Sequence, residues 1–273
     1  EATTWHHGFA PQLEEEADAL VAQAHLPFPG DAERIDRCDQ RVITIDDDDT
    51  LDIDDGLALE TTAEGQQRLW IHIADPGRLV TAGSPLDLEA RRRGASLYLA
   101  RGNLPMFPPQ LAHGPMSLRR GERSAAWSLW VELDGNGAVL AEGVERTWIR
   151  PTYRLSYGDA DELIELAPPQ EADLLAIHAL LRQRRQWRKA QGALDLEDPE
   201  GRIRCSGERA ELEVVEPSPS RRLVAEAMVL AGSLVAERAM REGLAVPFRS
   251  QPQCSLPAAA ELERLASGPV RHA

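Results

Sequence analysis

The chain has 273 residues, 42% hydrophobic and 27% charged, which fits a packed globular core of one large domain or one medium domain with an appendage and argues against wholesale disorder. A net charge of −15 argues against a broad phosphate-binding surface, although the charge is uneven enough to leave room for nucleic acid in a local groove. No apolar run reaches the ~18 residues of a membrane helix, and three scattered cysteines (Cys38, Cys205, Cys254) without a CxxC pair exclude a zinc ribbon or disulfide framework and point to a reducing cytoplasm.

In chain order, residues 11–24 (PQLEEEADALVAQA) predict a short helix with Pro11 at its start, where a missing N–H is tolerated, and HLPFPGD (25–31) ends it. RVITID (41–46) is β-branched and ends on a carboxylate. LDIDDGLALE (51–60) alternates apolar with polar, and RLWIHIAD (68–75) reads as a further strand. The short polar linker TTAEGQQ (61–67) predicts a hairpin between the last two. Ser84, with Pro85 and Asp87 behind it, is an S-x-x-D helix start, and the helix is expected to run to about Arg92. Residues 124–151 read as two strands about the turn DGNG. Residues 171–192 read as a helix with Leu174, Ile177 and Leu181 on one stripe and arginines opposite. EPSPS (216–220) breaks the chain before a long helix closed by Gly243 at its C′ position. Strands gather early and helices late, so the expected class is α+β, a mixed, largely antiparallel sheet packed with helices.

The segment 43–57 (ITIDDDDTLDIDDGL) dominates the chain: seven of its ten residues 46–55 are aspartates. Strands normally avoid aspartate, and crowded like charges repel. Yet Ile43, Ile45, Leu51, Ile53 and Leu57 interleave with them, and strand alternation would set Asp52 and Asp54 on one face with Leu51 and Ile53 on the other. Carboxylates held together beside a core need a compensating cation. Magnesium suits hard oxygen ligands, retained waters and phosphate partners. A solvated acidic loop is the plain alternative, and the interleaved apolar residues weigh against it. A calcium EF-hand loop fails on register, because aligning Gly56 with that loop's glycine places Leu51 and Ile53 at ligand positions. Metal-assisted phosphodiester hydrolysis is the chemistry these residues suggest.

TIDDDDTLDIDDGL (44–57) resembles the TIDxxxxxDxDDAL signature of the ribonuclease II/ribonuclease R (RNB) family of exoribonucleases. The likeness continues, in the family's order, through IHIADP (71–76), GSPLDLEARRRGASLYL (83–99), LPMFPPQLAHGPMSL (104–118), RLSYGD (154–159), GALDLEDPE (192–200) and RRLVAEAMVLAGSLVAERAMREGL (221–244). The resemblance implies an N-terminal helical segment over 1–39 and an RNB-type catalytic domain over 40–273. It implies 3′→5′ hydrolysis of single-stranded RNA to nucleoside 5′-monophosphates. Asp46, Asp52, Asp54 and Asp55 would be the catalytic carboxylates and the ligands of Mg2+, or of Mn2+. Tyr98 and Tyr157 match aromatics that contact nucleotides, which fits the sequence-tolerant stacking of bases on aromatic faces.

Three departures accompany the likeness. Leu196 stands where many relatives carry a phenylalanine that clamps the 3′-terminal bases. Ala225 replaces the first of two glutamates near a bound ribose, so weaker discrimination between RNA and DNA is expected, while Glu226 keeps the second. Nothing matches the family's later TSPIRRY-like segment, so the domain is expected to lack its C-terminal part. A catalytically weak or inactive RNA-binding protein of the same fold, and a different metal-dependent phosphodiesterase, are the competing readings. Arg91–Arg93, Arg119, Arg120 and Arg123, and Arg182, Arg184, Arg185 and Arg188 form three basic groups that suit phosphates or a solvated face equally. His72, between Ile71 and Ile73, is expected to be structural.

Overall fold

A computed structural model describes residues 8–100, 102–194, 199–206 and 209–249. Helix α1 (Pro11–Gln23) is followed by β1 (Ile35–Asp36), β2 (Ile43–Asp46), β3 (Asp55–Thr61), β4 (Gln67–Ala74), α2 (Pro85–Arg93), β5 (Leu97–Leu99), β6 (Gly102–Leu104) and α3 (Pro109–Ala112). The second half holds β7 (Ser124–Leu133), β8 (Val139–Ile149), β9 (Tyr153–Ser156), α4 (Tyr157–Leu166), α5 (Ala172–Ala190), the hairpin β10 (Glu200–Ser206) and β11 (Arg209–Val215), and α6 (Pro219–Glu242). The chain divides into two compact units, Glu1–Gly232 and Ser233–Ala273. The boundary falls inside α6, and the described part of the second unit is the end of that helix and residues 243–249.

Seven strands form one sheet in the order β1-β8-β7-β4-β3-β2-β9. The two outermost pairs, β1–β8 and β2–β9, are parallel, and the four inner pairings are antiparallel. The class is therefore the mixed, largely antiparallel sheet with helices that the sequence predicts. β4 is the middle strand, and Leu69, Trp70, Ile71 and His72 in it are all buried, as a strand covered on both faces requires. One apolar cluster joins Val42, Ile53, Ala58, Trp70, Ala126 and Ile149. A second joins Ala17 of α1 to Leu79, Leu86, Leu111 and Met116, so the amphipathic helix that opens the chain buries its apolar stripe against α2 and α3.

Local signals place several elements. Ser84 caps α2, its hydroxyl accepting from Asp87 N–H at 3.2 Å, and the Asp87 carboxylate takes the Gly83 N–H at 2.7 Å. In the turn between β7 and β8, Asp134 Oδ1 accepts from the N–H groups of Asn136 and Ala138, and Gly137 adopts φ +89°. Helix α4, preceded by β9, carries a complete capping box between Ser156 and Asp159 that the sequence reading passed over.

Two expectations need correction. The strand expected over 51–60 begins only at Asp55. Residues 51–53 leave the sheet because their backbone finds other partners: the Ile53 N–H donates to Ser117 Oγ at 2.9 Å, Ser117 Oγ donates to Leu51 O at 3.1 Å, and Ile53 O accepts from Leu118 N–H. Leu51 is consequently exposed rather than packed, while Ile53 is buried. On α5, Leu174, Ile177 and Leu181 are buried as expected, but so is Arg184. The spacing 174, 177, 181, 184 continues one helical stripe, and the Arg184 guanidinium donates to Gly137 O at 3.0 Å and lies 4.0 Å over the Trp187 ring.

Candidate functional site

The acidic segment is the connection between two neighbouring antiparallel strands. β2 ends at Asp46 and β3 starts at Asp55, with Ile43 opposite Leu57, so both strand ends and the loop between them meet at one edge of the sheet core. The Val42 side chain packs against β3 at Gly56. A Cβ added to Gly56 would come 2.8 Å from Val42 Cγ1, and the resembled signature carries alanine there. Parallel pairing of β2 with β9 places Asp46 beside Ser156, which brings Tyr157, the first residue of α4, to the same end.

The loop 47–54 is tied down along its length. Asp46 Oδ1 accepts from Asp47 N–H at 2.8 Å and from Thr50 Oγ1 at 2.9 Å. Arg154 Nη2 donates to the carbonyls of Asp48 and Thr50. Asp47 receives Arg221 Nη2 on Oδ1 at 2.5 Å and Arg202 Nη1 on Oδ2 at 2.7 Å. These arginines hold the Asp47 carboxyl below its usual range against the opposing effect of burial. Asp47 falls at one of the variable positions of the resembled signature. No local signal marks it, because its partners lie 155 and 174 residues away.

Three of the four signature aspartates, Asp46, Asp54 and Asp55, behave in the opposite sense. Burial and repulsion from Asp46 and Asp54 push Asp55 up to about 7. Burial and repulsion from Asp52 and Asp46 push Asp54 up to about 6, although the Asp54 side chain is solvent-exposed and water screens part of that shift. Burial raises Asp46 despite its two hydrogen bonds, with Asp47 and Asp52 adding repulsion. Asp52 accepts the hydroxyl of Tyr98 at 2.8 Å. The structure therefore brings Asp46, Asp52, Asp54 and Asp55 within mutual electrostatic reach, without a protein cation on any of Asp46, Asp54 and Asp55 among the described contacts.

The donor set is all carboxylate oxygen, and burial together with mutual repulsion raises Asp46, Asp54 and Asp55, with no arginine on them among the described contacts. Both features fit a hard divalent cation. Among the described residues, no three acidic, histidine or cysteine side chains stand at the spacing of a closed metal cage. The fit is accordingly to a magnesium-type ion held through one or two carboxylates, with water and phosphate completing its shell.

The aromatic residues divide by exposure. Tyr98 on β5 is 64% exposed, and burial of its hydroxyl and the bond to Asp52 raise its pKa. Tyr157 is half-buried and raised to about 12 by burial and by the charges of Asp46 and Asp55, and the Arg221 guanidinium covers its ring at 4.0 Å. Leu196 lies outside the described residues. Glu226 is buried on α6 and grips Arg188 through both oxygens, at 2.7 to 3.2 Å, so its carboxylate is engaged by the protein. Ala225 is exposed on the same helix.

The basic groups also separate. Arg93 is buried, donating to Glu89, Pro105 O and Gly8 O with its guanidinium 3.8 Å over Phe9, which is a structural role. Arg91 and Arg92 pair with Asp87 and Glu89 on their own helix. Arg119 pairs with Glu122, and Arg123 stacks on Trp148. His72 is buried, its Nδ1 2.7 Å from Ser128 Oγ, which lies 2.6 Å from Thr147 Oγ1.

The family model of the RNB domain matches residues 34–272. An uncharacterized ribonuclease of Synechocystis sp. is 47% identical over 255 residues, which cover 92% of this chain and 38% of that protein. The chloroplastic/mitochondrial ribonuclease II of Arabidopsis thaliana is 38% identical over 276 residues, covering 96% of this chain and 34% of that protein. The structure of Mycoplasma genitalium RNase R in complex with ribose methylated single-stranded RNA shares the fold at a TM-score of 0.82 and 22% identity, over 94% of this chain and 40% of that one. Yeast Ssd1, a pseudonuclease, shares it at a TM-score of 0.67 and 18% identity, over 86% of this chain and 32% of that one. The chain spans about two fifths or less of the length of each of these proteins.

Proposed function

The chain belongs to the RNB domain family, and from that premise we propose that it is a 3′→5′ exoribonuclease, hydrolysing single-stranded RNA to nucleoside 5′-monophosphates with a divalent cation, magnesium or manganese, at the Asp46–Asp55 cluster. The observation that carries this reading is the crowding of Asp46, Asp54 and Asp55, whose carboxyls burial and mutual repulsion hold above the ordinary range. Such crowding costs stability unless something outside the chain neutralises it. Of Asp46, Asp52, Asp54 and Asp55, one or two would hold the cation directly and the others would act through its bound water. The chemistry it supplies when bound is Lewis-acid stabilisation of charge developing on the phosphate.

The chain's own residues supply grip and placement. Tyr98 is anchored through its hydroxyl to Asp52 while its ring stays largely exposed, which suits a base stacked directly beside the cluster. Tyr157 offers a second aromatic surface at the same end of the sheet, stiffened by Arg221. Stacking requires unpaired bases, so a single-stranded 3′ end is the preferred substrate and a blunt duplex a poor one. A cytoplasmic location belongs to the same proposal, supported by the free thiols of Cys38 and Cys205. Among the described residues no helix is long and apolar enough to cross a membrane.

A second reading, an RNB-fold protein that binds RNA without turnover, draws on the lack of a closed three-carboxylate cage among the described residues and on the shared fold of a pseudonuclease. One experiment separates the two. A 5′-labelled single-stranded RNA is incubated with the protein over a titration of magnesium and manganese, and products are resolved by length and identity. Stepwise shortening with release of nucleoside 5′-monophosphates, abolished by chelation, supports the exonuclease. Tight binding with no product at any cation concentration overturns it in favour of the second reading.

A further inference from the structure

An RNA strand approaching four aspartates meets repulsion, and of the basic groups that the sequence singles out, Arg91, Arg92, Arg93 and Arg119 pair with acidic residues on their own segments, Arg123 stacks on Trp148 and Arg188 is held by Glu226. Beside the cluster stands a different pair, gathered by Asp47. Resting on the RNA-substrate reading above, we propose that Arg202 and Arg221, tethered by Asp47, form a clamp that takes a backbone phosphate of the strand beside the carboxylate cluster.

The two arginines come from separate elements, the first strand of the β10–β11 hairpin and the first turn of α6, and converge on one carboxylate, one guanidinium to each oxygen. Their side chains are 30% and 26% exposed, so they are held in position without being sealed from solvent. A guanidinium carries five N–H donors in a planar fork that matches phosphate. Hydrogen bonds to described residues engage Nη1 and Nε of Arg202 and Nη2 of Arg221, which leaves further donors on both. Two positive charges meet Asp47 and a long 3.3 Å contact to the largely exposed Glu200.

Position supports the role. Asp47 directly follows Asp46, and Arg221 lies over the ring of Tyr157, whose hydroxyl feels Asp46 and Asp55. The clamp is therefore bracketed by the carboxylates and by an aromatic that can receive a base. The backbone at the start of α6 does not compete for this role: the Ser220 N–H is taken by Asp161 Oδ1 at 2.8 Å, and the Arg222 N–H by Ser218 O at 3.1 Å. Anion recognition there falls to side chains.

The test is binding of a fluorescent single-stranded oligoribonucleotide, followed by anisotropy across a salt series in chelator, so that neither turnover nor cation enters. Arg221→Gln and Arg202→Gln should each weaken binding about tenfold and take about one unit off the slope of log affinity against log salt. Arg92→Gln, which removes the same charge from an arginine paired with Glu89, should change the slope little. Arg221→Lys should keep the slope, because the charge stays, while losing affinity with the fork. A folded Arg202→Gln/Arg221→Gln double variant with wild-type affinity and slope overturns the clamp. Should the glutamine variants fail to melt cooperatively, an Arg221→Lys variant with unchanged affinity overturns it equally. Wild-type protein that does not bind single-stranded RNA at all overturns the functional reading itself, a different outcome.

Discussion

Two sets of polar residues sit one step apart on the same sheet and are treated in opposite ways. His72 pairs across from Gly56, and the next pair along is Asp55 with Ile73. His72, Ser128 and Thr147, on three adjacent strands, are buried, neutral and bonded to one another. Burial, with some help from Arg37, pushes His72 down to about 3, so it stays uncharged. Asp55, Asp54 and Asp46 are crowded and raised, with like charges as neighbours. The first set is bonded internally from His72 Nδ1 through Ser128 to Thr147, with His72 Nε2 left unpartnered among the described residues, and serves the fold. The second carries no protein cation on Asp46, Asp54 or Asp55 among the described contacts, and a bound cation would relieve its repulsion.

The largest expected effect separates the two sets by activity. Asp54→Asn should cut hydrolysis by about 100-fold or more, because carboxylate geometry around the cation is lost, while the melting temperature holds or rises as one repulsive charge disappears. A variant with near wild-type nucleotide release removes Asp54 from the machinery. Ser128→Ala should do the reverse. It leaves the His72 and Thr147 groups without their partner at a cost of about 1–3 kcal/mol, lowering the melting temperature by roughly 2–10 °C with turnover per folded molecule unchanged.

The pH dependence of stability should carry opposite signs for the two sets. Asp54 and Asp55 have folded values of about 6 and 7, above the 3.8 of a free carboxyl, so the folded state keeps protons that the unfolded chain has released. Their contribution therefore turns unfavourable as pH rises from about 4 to 7. His72 has a folded value of about 3 against the usual 6.5, so the unfolded chain gains a proton first and stability is lost as pH falls below about 6.5. In cation-free melts, Asp55→Asn should flatten the neutral limb of the profile and His72→Gln the acidic one. Magnesium should raise the melting temperature at pH 8 more than at pH 5. Equal magnesium stabilisation at both values would show that the cation binds elsewhere.

The smallest effect concerns sugar choice. Ala225 is exposed and sits one helical turn after Arg221, so Ala225→Glu would set its new carboxylate beside a guanidinium that can engage it. Preference for RNA over matched DNA oligonucleotides should rise by no more than about tenfold, the low end of one charge-assisted hydrogen bond. No rise at all would show that this position does not read the 2′-hydroxyl.

Much of the fold was legible because its signals are local. Pro11 opens α1, Ser84 caps α2, the DGNG turn joins β7 to β8, and Gly243 with φ +66° follows α6. The capping box at Ser156 and the alternation through Ile203, Cys205, Leu212 and Val214 are equally local signals, of α4 and of the β10–β11 pair. The candidate site was legible in part: the signature spacing picked out Asp46, Asp52, Asp54 and Asp55, and the fold brings them together. Alternation misjudged residues 51–53, since a strand-like pattern does not reveal that Ser117 and Leu118 will take their backbone groups.

What the sequence determined by itself, then, was the class of fold, most of its elements and the acidic cluster, carried by periodicity, turn chemistry and spacing within short windows, and, through the resemblance of its motifs, the family. Only the tertiary structure decided which charges are spent and which remain. Arg184 and Arg93 are buried, Glu226 is engaged by Arg188, and Asp47 gathers Arg202 and Arg221 from more than 150 residues away. The physical reason is range. Hydrophobic pattern and backbone propensity act between residues a few positions apart, whereas an ion pair forms between whichever groups the folded chain brings within a few ångströms.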